Sequence, residues 1–107
     1  MIRLRQMRTI GQIIATAKRK NIKVGVCGEM AADPIYAPLL LGLGADSLSV
    51  AASSLPEIKY LVRSMRMQEA RAMADAVLKL TNPTSIFKTL EKFYLSQLQD
   101  IFDGKKV

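Results

Sequence analysis

The chain has 107 residues, of which 50% are hydrophobic and 23% are charged; this composition is typical of one globular domain, or part of one, and not of a disordered segment. It contains no histidine and a single cysteine, so it cannot by itself build a Ser-His or Cys-His catalytic pair, a histidine zinc site or an intrachain disulfide. No apolar run approaches the roughly 20 residues that cross a bilayer, and the amino terminus lacks the apolar core of a secretory signal. We therefore expect a cytoplasmic protein with no membrane partner.

The net charge of +7 is concentrated at the amino terminus. The first 28 residues hold seven basic side chains and no acidic one, whereas nine basic and nine acidic residues cancel after them. Basic segments bind nucleic acids because their side chains neutralise phosphates. The six aromatic residues all lie outside this segment, so no stacking platform accompanies the charge. The pattern favours a solvated or partner-facing helix surface over a nucleic-acid site.

Apolar residues at helical spacing predict a first helix over about residues 4–20, which ends at a basic cluster suited to the negative end of the helix dipole. The residues predicted on its inner face are Met7, Ile10, Ile13, Ile14 and Ala17. Residues 22–27 are rich in β-branched side chains, which indicates a short buried strand that ends at Cys27. A loop then opens with Gly28.

Asp33-Pro34 is a helix-start signal, because the aspartate side chain can cap the helix and a proline in the first turn loses no bond. Pro38 would remove a backbone bond from that helix, so either the helix kinks or its regular part begins near Pro38. Two glycines then end it. Residues 46–51 predict a second short strand, and the strand–helix–strand order makes the two strands parallel.

Three further helices are predicted in the second half of the chain. They begin at Leu55, near Met67 and at Pro83, the last with Asn82 as its cap. The predicted inner face of the helix from Leu55 comprises Ile58, Leu61, Val62 and Met65. That of the helix from about Met67 comprises Met67, Ala70, Met73, Ala74, Val77 and Leu78. That of the helix from Pro83 comprises Ile86, Leu90, Phe93, Tyr94, Gln97, Leu98 and Ile101. The tail from Gly104 is expected to fray.

These elements predict an α/β fold with two short parallel strands and about five helices. Two strands leave two unpaired sheet edges, and parallel sheets normally contain more strands. The pattern therefore fits the end of a longer strand–helix series better than a complete domain.

Cys27 is the candidate for chemistry. Parallel α/β folds usually place their active sites at the carboxyl ends of strands, and a glycine after the cysteine lets the backbone approach a ligand. Most single cysteines are small buried side chains, so its position leaves a structural role open. Ser47, Ser49, Ser53 and Ser54, near the end of the second strand, could line a pocket, although a polar strand end is the commoner explanation.

Several short runs of residues carry a family resemblance. They are residues 27–34 (CGEMAADP), 38–46 (PLLLGLGAD), 47–50 (SLSV) and 56–59 (PEIK). In this order they resemble the carboxyl-terminal end of the phosphoenolpyruvate–protein phosphotransferases, which serve bacterial sugar uptake or a nitrogen-related branch. The similarity extends from about Met7 to Phe102. Ala32 departs from the pattern, because the family is expected to have glycine there.

The resemblance implies a fold and a role for the cysteine. Residues 1–107 would form the last quarter of a (β/α)₈ TIM-type barrel domain that binds phosphoenolpyruvate, supplying strands seven and eight and the closing helices. Cys27 matches the family cysteine that donates a proton to the methylene carbon of the pyruvate enolate. A thiol suits that step because it is mostly protonated at neutral pH. Gly28 and Glu29 would belong to the substrate loop.

The resemblance also implies partners. The complete enzyme would bind Mg²⁺, pass phosphate from its own histidine to a phosphocarrier protein and form a homodimer, with the metal ligands and that histidine outside this chain. Glu29 and Asp33 are alternative metal ligands, but Glu29 is expected in a loop and Asp33 as a helix cap. The chain alone is expected to be inactive. The alternative is a non-catalytic interaction module that uses exposed strand edges and the basic first helix.

Overall fold

The computed structural model describes the backbone of residues 4–102 and the side chains of residues 5–97. Within these residues the elements follow in the order α1 (Leu4–Arg19), β1 (Gly25–Cys27), α2 (Glu29–Ala32), α3 (Ala37–Leu43), β2 (Ser47–Ser49), α4 (Leu55–Ser64), α5 (Met67–Leu78) and α6 (Pro83–Phe102). The two strands pair in parallel. The α/β class and the parallel pairing are confirmed, and the one-turn helix α2 is an element beyond the five predicted.

The sheet is covered by helices on one face. At the middle of each strand Val26 and Leu48, which are register partners, point to this face. They pack against a small cluster of buried residues, Ala31, Leu40 and Ala45. The predicted strand over residues 22–27 is too long, since only its last three residues pair, and Ile22 is exposed.

The main core lies where α1, α3, α5 and α6 meet. Its buried members are Met7, Tyr36, Leu39, Met73, Ala74, Val77, Ile86 and Leu90. Three positions predicted on inner faces, Val62, Met67 and Leu78, are instead exposed, because each sits at the margin of its apolar stripe. Ile13 is also exposed, since only the narrower stripe through Met7 and Ile14 on α1 is buried. The predicted tail from Gly104 lies outside the described residues.

The segment before α3 forms a turn and not the predicted helix cap. Asp33 Oδ1 accepts a hydrogen bond from the Ile35 amide at 2.8 Å, and the Asp33 carbonyl accepts one from the Ala37 amide, also at 2.8 Å. The residue that caps α3 is Tyr36, with Pro38 in the first turn. Of the two predictions for Pro38, a kinked helix or a regular helix that begins near it, the second is therefore confirmed. Asn82, in contrast, caps α6 as predicted, since its Oδ1 accepts a bond from the Thr84 amide at 2.8 Å.

Helices α3 and α5 cross closely at Gly42. A Cβ atom at this position would lie 2.3 Å from the Ala70 carbonyl oxygen and 2.9 Å from the Ala74 Cβ. Only glycine allows the two backbones to approach this far. This crossing holds α5 against the helix that connects the two strands.

Asp46 anchors the amino ends of both strands. Its Oδ2 accepts a hydrogen bond from the Val24 amide at 2.7 Å, and its own amide donates to the Val24 carbonyl at 2.7 Å. Its Oδ1 pairs with Lys18 Nζ in the last turn of α1. The Lys18 hydrogen bond, followed by the Val24 amide, lowers the pKa of Asp46 below its ordinary value of 3.8.

We therefore expect Asp46 to make stability depend on acid pH. The Asp46 carboxyl binds its proton more weakly in the folded protein than in the unfolded chain. Its contribution to the free energy of unfolding is therefore complete above the ordinary pKa and is lost as pH falls through the lowered pKa. The test is urea unfolding of Asp46→Asn and of the wild type at several pH values between neutral and about pH 3. The free energy of unfolding of Asp46→Asn should be lower than that of the wild type at neutral pH, and this difference should become smaller as the pH falls. The matched control, Asp75→Asn, changes an exposed carboxylate on α5. A difference for Asp46→Asn that is constant with pH would contradict this role.

Candidate functional site

Cys27 is the last residue of β1, and its side chain is exposed. The structural alternative of a buried core cysteine is therefore wrong for this chain. The strand ends here because Gly28 redirects the backbone, so the thiol lies at the carboxyl edge of the sheet. This is the edge at which parallel α/β folds place ligands.

The face of the sheet that carries Cys27 is open. Side chains alternate along each strand, so the first and third residues of β1 and β2 are exposed while the middle ones are covered. The residues on the open face are Gly25, Cys27, Ser47 and Ser49. A thiol, two hydroxyls and a glycine thus form a small polar face without a covering element from the described part of the chain.

Ser49 lies directly opposite Cys27 in the parallel register. Neighbouring strands are about 4.8 Å apart, so one small ligand group could contact both side chains. The neighbouring pair is Gly25 and Ser47, where a Cβ atom on the glycine would lie 3.0 Å from the Ser47 Oγ. The sequence favours a polar strand end for the serines near β2, and the structure places Ser47 and Ser49 on the open face. The sequence signal that distinguishes Ser49 is its period-two alternation with Leu48.

Gly28 connects the strand to α2 in a conformation that favours glycine. Its φ is +102°, in the region that side chains with a Cβ rarely adopt, and a Cβ atom there would meet nothing within 4 Å. The backbone conformation, and not crowding within the described residues, therefore explains the glycine.

Glu29 is the first residue of α2 and is exposed. The expectation of a loop residue is thus wrong, because the turn at Gly28 is followed at once by helix. Its carboxylate stands at the positive end of a short helix, two residues from Cys27. The structure brings Cys27, Gly28 and Glu29 together on one strand-to-helix turn.

The two acidic residues named as alternative metal ligands, Glu29 and Asp33, lie close to this turn. Among the described residues there is no group of three His, Cys, Asp or Glu side chains placed to hold an ion. Asp33, the second candidate ligand, uses its Oδ1 to bind the Ile35 amide.

None of the helices in the part of the chain that the structure describes has the length and apolar character needed to cross a membrane.

Comparison with known proteins identifies relatives over most of the chain. A phosphoenolpyruvate-protein phosphotransferase of Mycoplasma genitalium is 35% identical over 88 residues, which are 82% of this chain and 15% of that protein. One from Haemophilus influenzae is 37% identical over 86 residues, 80% of this chain and 15% of the relative. The multiphosphoryl transfer protein 1 of Escherichia coli is 33% identical over 87 residues, 81% of this chain and 10% of its own length.

The chain thus spans about a seventh or less of the length of these curated relatives. Residues 2–67 match the family model described as "PEP-utilising enzyme, PEP-binding domain". This range covers α1, α2, α3, α4 and both strands. The chain belongs to the family of phosphoenolpyruvate-binding domains of phosphoenolpyruvate-utilising enzymes, and its relatives are phosphoenolpyruvate-protein phosphotransferases.

Proposed function

We propose that this chain supplies the cysteine-bearing edge of the phosphoenolpyruvate site in an enzyme that transfers phosphate from phosphoenolpyruvate to a histidine and then to a phosphocarrier protein. The observation that carries the proposal is the position of Cys27, exposed at the carboxyl end of β1 within the segment that matches the family. The names of the relatives support the reaction class.

Cys27 acts as the proton donor in the proposed reaction. When the phosphoryl group leaves phosphoenolpyruvate, the remaining enolate of pyruvate must gain a proton at its methylene carbon. The Cys27 Sγ–H bond breaks, its proton forms the new C–H bond, and the sulfur keeps the electron pair as a thiolate. Water then returns a proton to the sulfur. Exposure on the open sheet face gives the thiol access to a ligand without a rearrangement of the core.

The proposed setting of this edge is a (β/α)₈ barrel. In such a barrel the strand side chains alternate between the barrel interior and the helix layer. Val26 and Leu48 already pack on helices, so the opposite face would line the interior. That arrangement would place Cys27 and Ser49 together at the carboxyl-terminal mouth, where active sites of this fold lie.

Further partners follow from the same proposal. Mg²⁺ would be held by residues outside this chain, the complete protein would form a homodimer, and the reaction would run in the cytoplasm as part of sugar transport or of the nitrogen-related branch. Ser49 would contact the same ligand as Cys27, because the two residues are register partners on the open face.

We expect the 107-residue chain alone to release no pyruvate from phosphoenolpyruvate, because it contains no histidine to accept the phosphate. The second experiment uses a grafted phosphotransferase, which we call the graft. It is the Mycoplasma genitalium relative in which the matching 88-residue segment is replaced by the corresponding segment of this chain. The graft should form pyruvate when a phosphocarrier protein is present. Turnover by the isolated chain would contradict the proposal, and a folded but inactive graft would favour the non-catalytic interaction module.

A further inference from the structure

The proposed proton transfer leaves a negative charge on the Cys27 sulfur, and the residue placed beside that charge is Ser49. The two residues are register partners at the last positions of β1 and β2. Both side chains are exposed on the open face of the sheet. Side chains on one face of a strand stand roughly perpendicular to the sheet, so the thiol and the hydroxyl project side by side. We call them the thiol–hydroxyl pair.

The neighbouring register pair shows how far a serine hydroxyl of β2 reaches. A Cβ atom built on Gly25 would lie 3.0 Å from Ser47 Oγ, so this hydroxyl spans the gap between the strands. Ser49 carries the same side chain two residues further along β2, and its partner Cys27 has a sulfur beyond its Cβ. Because the strands are about 4.8 Å apart, rotation about χ1 brings Ser49 Oγ within hydrogen-bond distance of Cys27 Sγ.

No described residue holds the Ser49 hydroxyl in a fixed position. Hydroxyls on helices often bond to a carbonyl of the preceding turn, as those of Ser64, Thr89 and Ser96 do at 2.8 to 2.9 Å. A strand offers no such carbonyl on the same face. Within the described residues, Ser49 Oγ takes part in no side-chain hydrogen bond. It can therefore turn toward a charge that forms beside it.

We propose that Ser49 is a positioning residue for Cys27: its hydroxyl donates a hydrogen bond to the Cys27 sulfur as the thiol gives its proton to the enolate. The bond strengthens during this step, because a charged acceptor binds a donor more strongly than a neutral one does. It therefore stabilises the thiolate more than the thiol and favours proton transfer to carbon. This inference rests on the proposed phosphotransfer and goes beyond it by naming the group that stabilises the thiolate.

The charged groups near the thiol–hydroxyl pair come from three places. Glu29 lies on the turn that follows β1. Lys59 and Arg63 of α4 line a hollow along β2. Asp46 and Lys18 pair with each other at the opposite ends of the strands. Replacing the serine with alanine leaves all these charges in place, so a difference between the two chains reports the hydroxyl itself.

The first test follows the reactivity of the thiol in the full 107-residue chain. Its single cysteine makes the site of alkylation unambiguous. Iodoacetamide reacts with the thiolate and not with the thiol, so the rate reports how readily the thiolate forms. At about pH 7 we expect Ser49→Ala to react roughly threefold more slowly than the wild type. At about pH 10 the thiolate forms in both chains, and the two rates should become equal.

Two variants serve as controls for the alkylation test. Ser49→Thr keeps a hydroxyl in a residue that suits strands, and it should retain the wild-type rate. Ser47→Ala removes a hydroxyl from the same face, but the partner of Ser47 is Gly25, which has no side chain for that hydroxyl to stabilise. Its alkylation rate should therefore equal that of the wild type. Circular dichroism verifies that each variant keeps its helix content.

The second test uses the graft. Ser49→Ala should lower kcat for pyruvate formation roughly three- to tenfold with a small change in KM, because the hydroxyl acts on the transfer step. In a graft that already carries Cys27→Ala, the same substitution should cause no further loss, because a positioning residue acts through the residue that it positions. Losses that multiply would show that Ser49 acts on the ligand directly and not through the sulfur.

Three results would overturn the proposal. They are equal alkylation rates of the wild type and Ser49→Ala at about pH 7, a rate difference that stays the same at about pH 10, and multiplying losses in the double variant. The alkylation test needs neither phosphoenolpyruvate nor turnover, so it decides on the thiol–hydroxyl pair even if the graft is inactive. Failure of the proposed phosphotransfer is seen separately, as a normal kcat of the Cys27→Ala graft.

Discussion

Replacing Cys27 with alanine is expected to lower the rate of pyruvate formation by about 10²–10⁴-fold in the grafted phosphotransferase, the usual contribution of one positioned proton donor. The loss should fall on kcat with a small change in KM, because the thiol acts after phosphoenolpyruvate has bound. The fold should be retained, since the side chain is exposed and packs into none of the described core clusters. The measurement is steady-state pyruvate release coupled to lactate dehydrogenase.

The matched control for this experiment is Ser47→Ala. Ser47 lies on the same open face and pairs with Gly25, two residues further from the carboxyl edge than Cys27. Its loss should change kcat by less than about threefold, as expected for a group that takes no part in proton transfer. An equal decrease in kcat for Cys27→Ala and Ser47→Ala would show that the open face is sensitive to any substitution. A normal kcat for the Cys27→Ala graft would show that the thiol is not the proton donor.

Gly42→Ala is expected to lower the free energy of unfolding by about 2–3 kcal/mol, because the added methyl group would overlap the backbone of α5. The Cβ atom would lie 2.3 Å from the Ala70 carbonyl oxygen and 2.8 Å from its carbon. Backbone atoms cannot rotate aside as a flexible side chain does, so α3 and α5 would have to separate. Urea unfolding followed by circular dichroism measures the difference.

Gly11→Ala is the control, because it makes the same chemical change inside another helix. A Cβ atom at Gly11 would lie 3.5 Å from Leu78 Cδ2 and 3.8 Å from Leu43 Cδ2, which are ordinary contacts. Alanine is a better helix former than glycine, so this variant should be more stable than the wild type by about 0.5–1 kcal/mol. If both variants were destabilised to the same extent, the close crossing at Gly42 would not be the cause.

The fold could be predicted where local signals were strong. Asn82 and Pro83 place a cap and a first-turn proline in succession, and α6 begins there. The segment before α3 has the same kind of signal in Asp33 and Pro34, yet it forms a turn. Two prolines only four residues apart allow the turn and the helix to be separate, and the sequence pattern alone does not choose between these arrangements.

Helical periodicity predicted more buried positions than the structure contains. Ile13 fits the apolar spacing of α1 as well as Ile14 does, but only Ile14 is buried. How wide a stripe becomes buried depends on how many elements pack around a helix, which is a tertiary property. In α1 the side that carries Ile13 has no neighbour among the described elements.

The candidate site was predictable in part. The run of β-branched residues that ends at Cys27 indicated a thiol at a strand end, and the structure places it there with Gly28 and Glu29 on the following turn. The pairing of Cys27 with Ser49 depends on strand register, and the packing of Val26 and Leu48 on the helices fixes that register. Packing of this kind is not encoded in either three-residue strand alone.

The hydrogen bonds of Asp46 and the thiol of Cys27 occupy opposite ends of the same pair of strands. Strand pairing is thus secured at a distance from the rim where ligands would bind. Amide exchange at Val24 should accordingly be slow relative to that at Glu29, even in a chain whose rim residues have been replaced. Substitutions at the carboxyl ends of the strands could therefore change ligand specificity, while the hydrogen bonds of Asp46 at the amino ends keep the two strands paired.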